Sequence, residues 1–265
     1  MCACRRIGSI GSMRRVGSAC VTEAPPCVLL PGTLCDARVF APLQTAWAAL
    51  GRPGHGQVLD LHTLELTVSQ WWTRQLARLP ARFDVLGFSL GGVLALQLLA
   101  IAPARVRRLC LVATNAAAGT PLHRERTEAQ QALWQAEGPA AVARAMLAQA
   151  SPADSQSPEL AATVVEMACA TPWSAFVAQG ELNASRPDGL PALQAFSGEV
   201  LLISGANDPW CGAEKQQAMC AAHTAAQWQE FEGAGHYLPL ARAQALARAT
   251  HRFFHQPDTL CRSSP

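Results

Sequence analysis

Residues 83–101 leave this chain few choices of fold. Phe83-Asp84-Val85-Leu86-Gly87-Phe88 is short and mostly apolar, and it reads as a buried strand. Residues 93–101 are apolar on every side and read as a buried helix. Between them stands Ser89-Leu90-Gly91-Gly92. A chain that passes from strand to helix through so short a turn holds the residue at the bend in a strained conformation. Side chains two positions before and after the bend would collide, so glycine is needed at 87 and 91, and Gly92 lets the helix pack close to the sheet. A strand buried on both faces and followed at once by a buried helix belongs to a parallel sheet covered on both sides. This predicts the α/β class.

The alternation continues on either side. Cys27-Val28-Leu29-Leu30 reads as a buried strand stopped by Pro31-Gly32, and Asp36 can cap a helix reaching about residue 50. Strands are expected at 58–61 and 109–113, with a helix over 69–79. From 115 to 196 the strand pattern lapses. Helix starts recur there, each with proline in the first turn, at Thr120-Pro121, Gly138-Pro139, Ser157-Pro158 and Thr171-Pro172. They predict about four inserted helices, with a loop at 151–157. The pattern then resumes with strands at 200–203 and 227–231 and helices over 214–222 and 240–254. The expected organisation is a core of 25–114 and 197–256, an inserted helical lid at 115–196, and tails at 1–24 and 257–265. The first tail scatters Arg5, Arg6, Arg14 and Arg15 among glycine and serine and lacks the apolar run of a signal peptide, so it reads as disordered. Met13 is an alternative start to Met1.

Composition narrows the function. The chain is 50% hydrophobic and 15% charged, enough to bury a large core. A net charge of +2 does not suit nucleic acid or a membrane surface as the main partner. No apolar run approaches the roughly 18 residues of a membrane span. The ten cysteines include no Cys-x-x-Cys pair and no accompanying histidine cluster, which argues against a metal site and for a reducing cytoplasm. Cys27, Cys110 and Cys169 lie in apolar segments and read as small core residues.

A serine at such a bend can act as a nucleophile only with a base to take its proton. Among the seven histidines, His236 follows Gly233-Ala234-Gly235 directly after the last expected strand, at the sheet edge where ligands bind. His55, His62, His123, His223, His251 and His255 read as solvated or packing residues. Asp208, in Ser204-Gly205-Ala206-Asn207-Asp208, follows the preceding strand and is the acid expected to orient the ring; Asp60, Asp84 and Glu232 are its rivals. The backbone N–H of Leu90, next to the nucleophile, and that of Thr33, after the first strand, are the expected donors to a developing oxyanion.

Leu29-Leu30-Pro31-Gly32-Thr33-Leu34, Gly87-Phe88-Ser89-Leu90-Gly91-Gly92, Gly205-Ala206-Asn207-Asp208 and Gly235-His236 together resemble the α/β-hydrolase superfamily over roughly 27–255. The resemblance implies a mostly parallel central sheet flanked by helices, a helical lid and no cofactor. By matched motif positions it supports Ser89, Asp208 and His236 as a catalytic triad, with Thr33 and Leu90 forming the oxyanion hole. Within the superfamily the chain is similar to small bacterial carboxylesterases, including the pimeloyl-acyl-carrier-protein methyl ester esterase branch. It departs from that pattern at Pro31, where many members have His, at Ala241, where many have Glu, and in lacking the usual antiparallel strands before Cys27. The expected function is therefore a serine hydrolase acting on a small or medium acyl ester. Thioesterase, lactonase, aminopeptidase and cofactor-free haloperoxidase activities would use the same triad, and a ligand-binding receptor or scaffold is the non-enzyme alternative. Trp134, Met146, Trp173 and Phe176 are expected to wall the pocket. Arg124, Arg126 and Arg144 offer basic points to an acyl carrier.

Overall fold

The computed structural model describes residues 26–51, 56–64 and 67–255. Both expected tails, the choice between Met1 and Met13, His55 and the segment before Cys27 lie outside the described residues, apart from Pro26.

The strands are β1 (Cys27–Leu30), β2 (Gly56–Val58), β3 (Phe83–Phe88), β4 (Val106–Val112), β5 (Glu199–Gly205) and β6 (Gln227–Phe231). They form one parallel sheet in the order β2-β1-β3-β4-β5-β6. Helices α1 (Ala41–Ala49), α2 (Val68–Leu76) and α3 (Leu90–Ile101) follow the first three strands. Five helices enter between β4 and β5: α4 (Pro121–Glu137), α5 (Pro139–Ala150), α6 (Pro158–Ala170), α7 (Trp173–Ser185) and α8 (Leu190–Ala195). The chain closes with α9 (Ala213–Ala222), α10 (Leu238–Ala241) and α11 (Ala243–Phe254).

Because strand side chains alternate between faces, the apolar runs build two cores at once. Leu29, Leu86, Phe88, Cys110, Val112 and Ile203 point to the side of α1 and α11, while Val28, Leu30, Val85, Leu109, Leu111 and Leu202 point to the side of α2 and α3. Trp47 anchors the first core: it is buried edge-on to Phe254, and its indole N–H donates to Thr250 Oγ1 at 3.0 Å. Truncating a buried tryptophan of this kind costs about 3–5 kcal/mol. At the start of β4 the half-buried Arg107 is neutralised by Asp84 and the buried Arg108 by Glu199.

Four expectations need correcting. The second strand is Gly56–Val58 rather than 58–61, because Asp60 instead accepts the His62 amide at 2.9 Å and caps a 3₁₀ turn over Leu61–Thr63. The insert has five helices rather than four; α8 starts with its own first-turn proline, Pro191. The closing helix is interrupted at Arg242, which separates α10 from α11. Cys169 is exposed rather than in the core, whereas Cys27 and Cys110 are buried. Among the described residues no single helix is long and apolar enough to cross a membrane.

Candidate active site

The C-terminal ends of β1, β3, β5 and β6 meet at one edge of the sheet. Ser89 lies at the bend from β3 to α3 with φ +53° and ψ −117°, a conformation that L-residues seldom adopt. The glycines around it are required by contact. A Cβ at Gly87 would stand 2.6 Å from Gly91 O, one at Gly91 would stand 2.0 Å from Leu30 O, and one at Gly92 would stand 2.4 Å from Thr114 Cγ2. Two further non-glycine residues with positive φ lie beside Ser89 in the fold, Leu34 after β1 and Ala113 after β4. Strain concentrated at one sheet edge marks a place where geometry is held for use.

His236 Nε2 lies 2.9 Å from Ser89 Oγ, and His236 Nδ1 lies 2.7 Å from Asp208 Oδ2. The other carboxylate oxygen of Asp208 accepts the backbone N–H groups of Trp210 and Cys211 at 2.8 and 3.1 Å, which fixes its plane. Burial penalises the imidazolium, but the adjoining Asp208 carboxylate outweighs that penalty, and the His236 pKa is pushed up to about 9. Burial would likewise raise Asp208, yet the imidazole and the two amides hold it below its usual range. The rival acids are elsewhere: Asp60 caps its 3₁₀ turn, Asp84 pairs with Arg107, and Glu232 is exposed.

A cavity of about 250 Å³ opens over Ser89 and His236, and Thr33 and Leu90 line it as well. Among the described residues, the backbone N–H groups of Thr33 and Leu90 meet no protein acceptor. Leu90 is the first residue of α3, where amides are free by construction. The next amide after Thr33, that of Leu34, donates to Gln179 Oε1 at 2.9 Å, and Gln179 Nε2 donates to Leu61 O at 3.4 Å. Gln179 comes from α7 and is fully buried, so a helix of the insert holds the strained loop after β1 in place. Ser151, at the end of α5, does the same for the histidine loop: its Oγ accepts the His236 amide at 2.5 Å and the Tyr237 amide at 3.3 Å.

Of the four side chains expected to wall the pocket, only Met146 lines this cavity. Trp134, Trp173 and Phe176 lie within the insert, with Trp134 stacked on Phe176 at 4.6 Å and Trp173 tilted against both. They belong to α4 and α7 and pack on one another across that helix pair, with Phe176 buried and Trp173 left partly exposed. Arg124 pairs with Glu181. Arg126 lines the cavity, and Arg144 is exposed. Among the described residues, one group has metal-ligand composition, Asp208, Cys211 and His236. Its carboxylate and imidazole already face each other in the 2.7 Å hydrogen bond.

The model of the alpha/beta hydrolase family matches residues 27–249. No curated protein matches the chain by sequence. Among solved structures, the enol-lactonase of Burkholderia xenovorans is 23% identical with a TM-score of 0.75, over 88% of this chain and 93% of that one. A thermophilic esterase from Thermogutta terrifontis is 21% identical with a TM-score of 0.73, over 88% and 91%. A hydrolase from Pseudomonas aeruginosa gives the same identity, TM-score and coverage. At such identities the likeness is one of fold.

Proposed function

The chain belongs to the alpha/beta hydrolase family, and from that premise we propose that it is a serine hydrolase cleaving a small or medium acyl ester, with Ser89 as nucleophile. The observation that carries this reading is the unbroken chain of hydrogen bonds from Asp208 through His236 to Ser89, beneath a cavity into which two backbone amides are free to donate. A binding protein has no use for all of these together.

In this mechanism His236 Nε2 takes the hydroxyl proton as Ser89 Oγ attacks the carbonyl carbon. Asp208 keeps the ring in the tautomer that presents Nε2 as acceptor and stabilises the imidazolium that forms. The Thr33 and Leu90 amides receive the charge developing on the carbonyl oxygen. The imidazolium then protonates the leaving alcohol. Water attacks the acyl-enzyme with His236 again as base, and the acid is released. Residues 115–196 serve as the lid, and the described residues of 25–114 and 197–256 form the core.

The test is labelling with a small fluorophosphonate alongside turnover of p-nitrophenyl acetate. The parent is expected to label at Ser89 and to release nitrophenol. Ser89→Ala should lose both, with turnover down about 10⁴-fold or more and the folded state intact. Turnover near the parent rate in Ser89→Ala would refute the proposal.

A further inference from the structure

We propose that the substrate carries its own carboxylate, separate from the scissile carbonyl, held by Arg186 with Arg126 and Lys215 on the wall of the same cavity. This rests on the hydrolase reading above and specifies its substrate class. The chain as a whole holds 21 Lys and Arg against 19 Asp and Glu. A wall of average composition would mix both signs, yet the permanently charged residues lining this cavity are Arg126, Arg186 and Lys215, with no Asp or Glu among the lining residues.

Arg186 is the most buried of the three. It follows the last turn of α7 and is 7% exposed. Its guanidinium donates only to neutral acceptors: Ala117 O at 2.8 Å, Asn183 Oδ1 at 2.6 Å, Asn115 Oδ1 at 3.2 Å and His123 Nε2 at 3.3 Å. Among the described residues it has no carboxylate partner, and Glu181, five positions earlier in the chain, is committed to Arg124. Arg108, the other buried arginine among the described residues, shows what the fold does elsewhere, since it faces Glu199. A buried guanidinium without a counter-charge is costly, and it fits where a ligand supplies the missing charge.

Arg126 and Lys215 are exposed on the same cavity, from α4 and α9, where they draw an anion inward. The surroundings respond as a positive pocket should. His123, on the same cavity and hydrogen-bonded by Arg186, is held below the ordinary imidazole range by its partial burial and then by Arg186, Arg126 and Lys215. A carboxylate entering here accepts charge-assisted hydrogen bonds in a site largely removed from water. It is a spectator in the chemistry: ester and water become acid and alcohol while the remote charge stays where it is. A neutral ester of the same length leaves the guanidinium uncompensated and is disfavoured.

The experiment compares kcat/KM for monomethyl glutarate, carboxymethyl butanoate and methyl hexanoate, following acid release in a pH-stat. The first carries its charge on the acyl side, the second on the alcohol side, and the third is neutral. At least one charged ester is expected to exceed the neutral one by about tenfold or more, and the better of the two shows which side faces Arg186. Arg186→Gln should lower that ratio about tenfold. Because Arg186 also ties Asn115 to Asn183, its loss could unfold the protein, so the double variant Arg126→Gln, Lys215→Gln provides a second reading, with the ratio again falling severalfold. If the parent labels with fluorophosphonate at Ser89 but prefers methyl hexanoate, or if folded variants keep the parent's ratio, the charge proposal is overturned and the hydrolase reading stands. If the parent neither labels nor turns over any ester, both fail.

Discussion

The sheet edge and the inserted helices contribute to the cavity in different ways. From the edge come Ser89, Asp208 and His236, each held by a short loop whose backbone is pinned by close contacts. From the insert come Gln179 and Ser151, which hold those loops from behind, and Arg126, Met146 and Arg186, which shape the wall. In the proposed mechanism one region bears the reacting groups and the other sets where they stand and what they meet. Bond-making geometry tolerates little displacement and is built on short, strained connections. Selection among substrates needs only a wall, which helices from a different part of the chain can provide.

Three substitutions test this division. Asp208→Asn strikes the edge and should lower kcat about 10³- to 10⁴-fold, because the asparagine neither fixes the tautomer nor stabilises the imidazolium. The same variant has a signature in pH. With Asp208 in place, kcat/KM should rise with pH through a limb near the His236 pKa of about 9, since only the neutral ring accepts the serine proton. Removing the carboxylate removes what raised that pKa, so the residual limb should move to lower pH; a limb that stays in place would show that Asp208 does not govern the ring. Gln179→Met strikes a prop and should cost about tenfold in kcat with little change in KM, less than the 10²- to 10³-fold that follows loss of an oxyanion donor itself. If KM rises and kcat holds, Gln179 belongs to the wall. Trp134→Ala strikes the insert's own packing. It should leave the fluorophosphonate labelling rate within about twofold, while lost stacking lowers stability by about 2 kcal/mol and the melting temperature by a few degrees. A large drop in labelling without loss of stability would blur the boundary between the two regions.

The same division governs what could be read in advance. The geometry gathers Ser89, Asp208 and His236 because each sits in a local pattern that the backbone at its own position demands, and such demands leave residues a reader can recognise. β3 runs over Phe83–Phe88 as its apolar run indicates, since a central strand has no freedom to begin elsewhere. The edge strand β2 slipped because it is three residues long and Asp60 prefers to cap a turn. Gln179 carries no local mark: in the sequence it is one polar residue in a helix, and only the loop that packs on it shows what it does. Its clue was a buried position, which helical spacing against Phe176 and Leu182 could have raised. Trp134, Trp173 and Phe176 show the opposite failing, because periodicity reveals an apolar face but not whether it turns to a cavity or to a neighbouring helix. Arg186 was invisible for the same reason, its isolation from acids being a property of three dimensions.

Ser151 bears on how this protein could be re-engineered. A Cβ at Gly235 would stand 2.3 Å from its Oγ, so the end of α5 presses directly on the loop that carries His236. Exchanging residues 115–196 for the helices of another enzyme would therefore take away the acceptor of the His236 amide as well as the substrate wall. A chimera made that way should have its base out of register even with every core residue unchanged, unless the incoming segment brings a small hydroxyl to the same point. The insert is not an interchangeable cassette, and redesign should keep 150–151 and 179 with the recipient core.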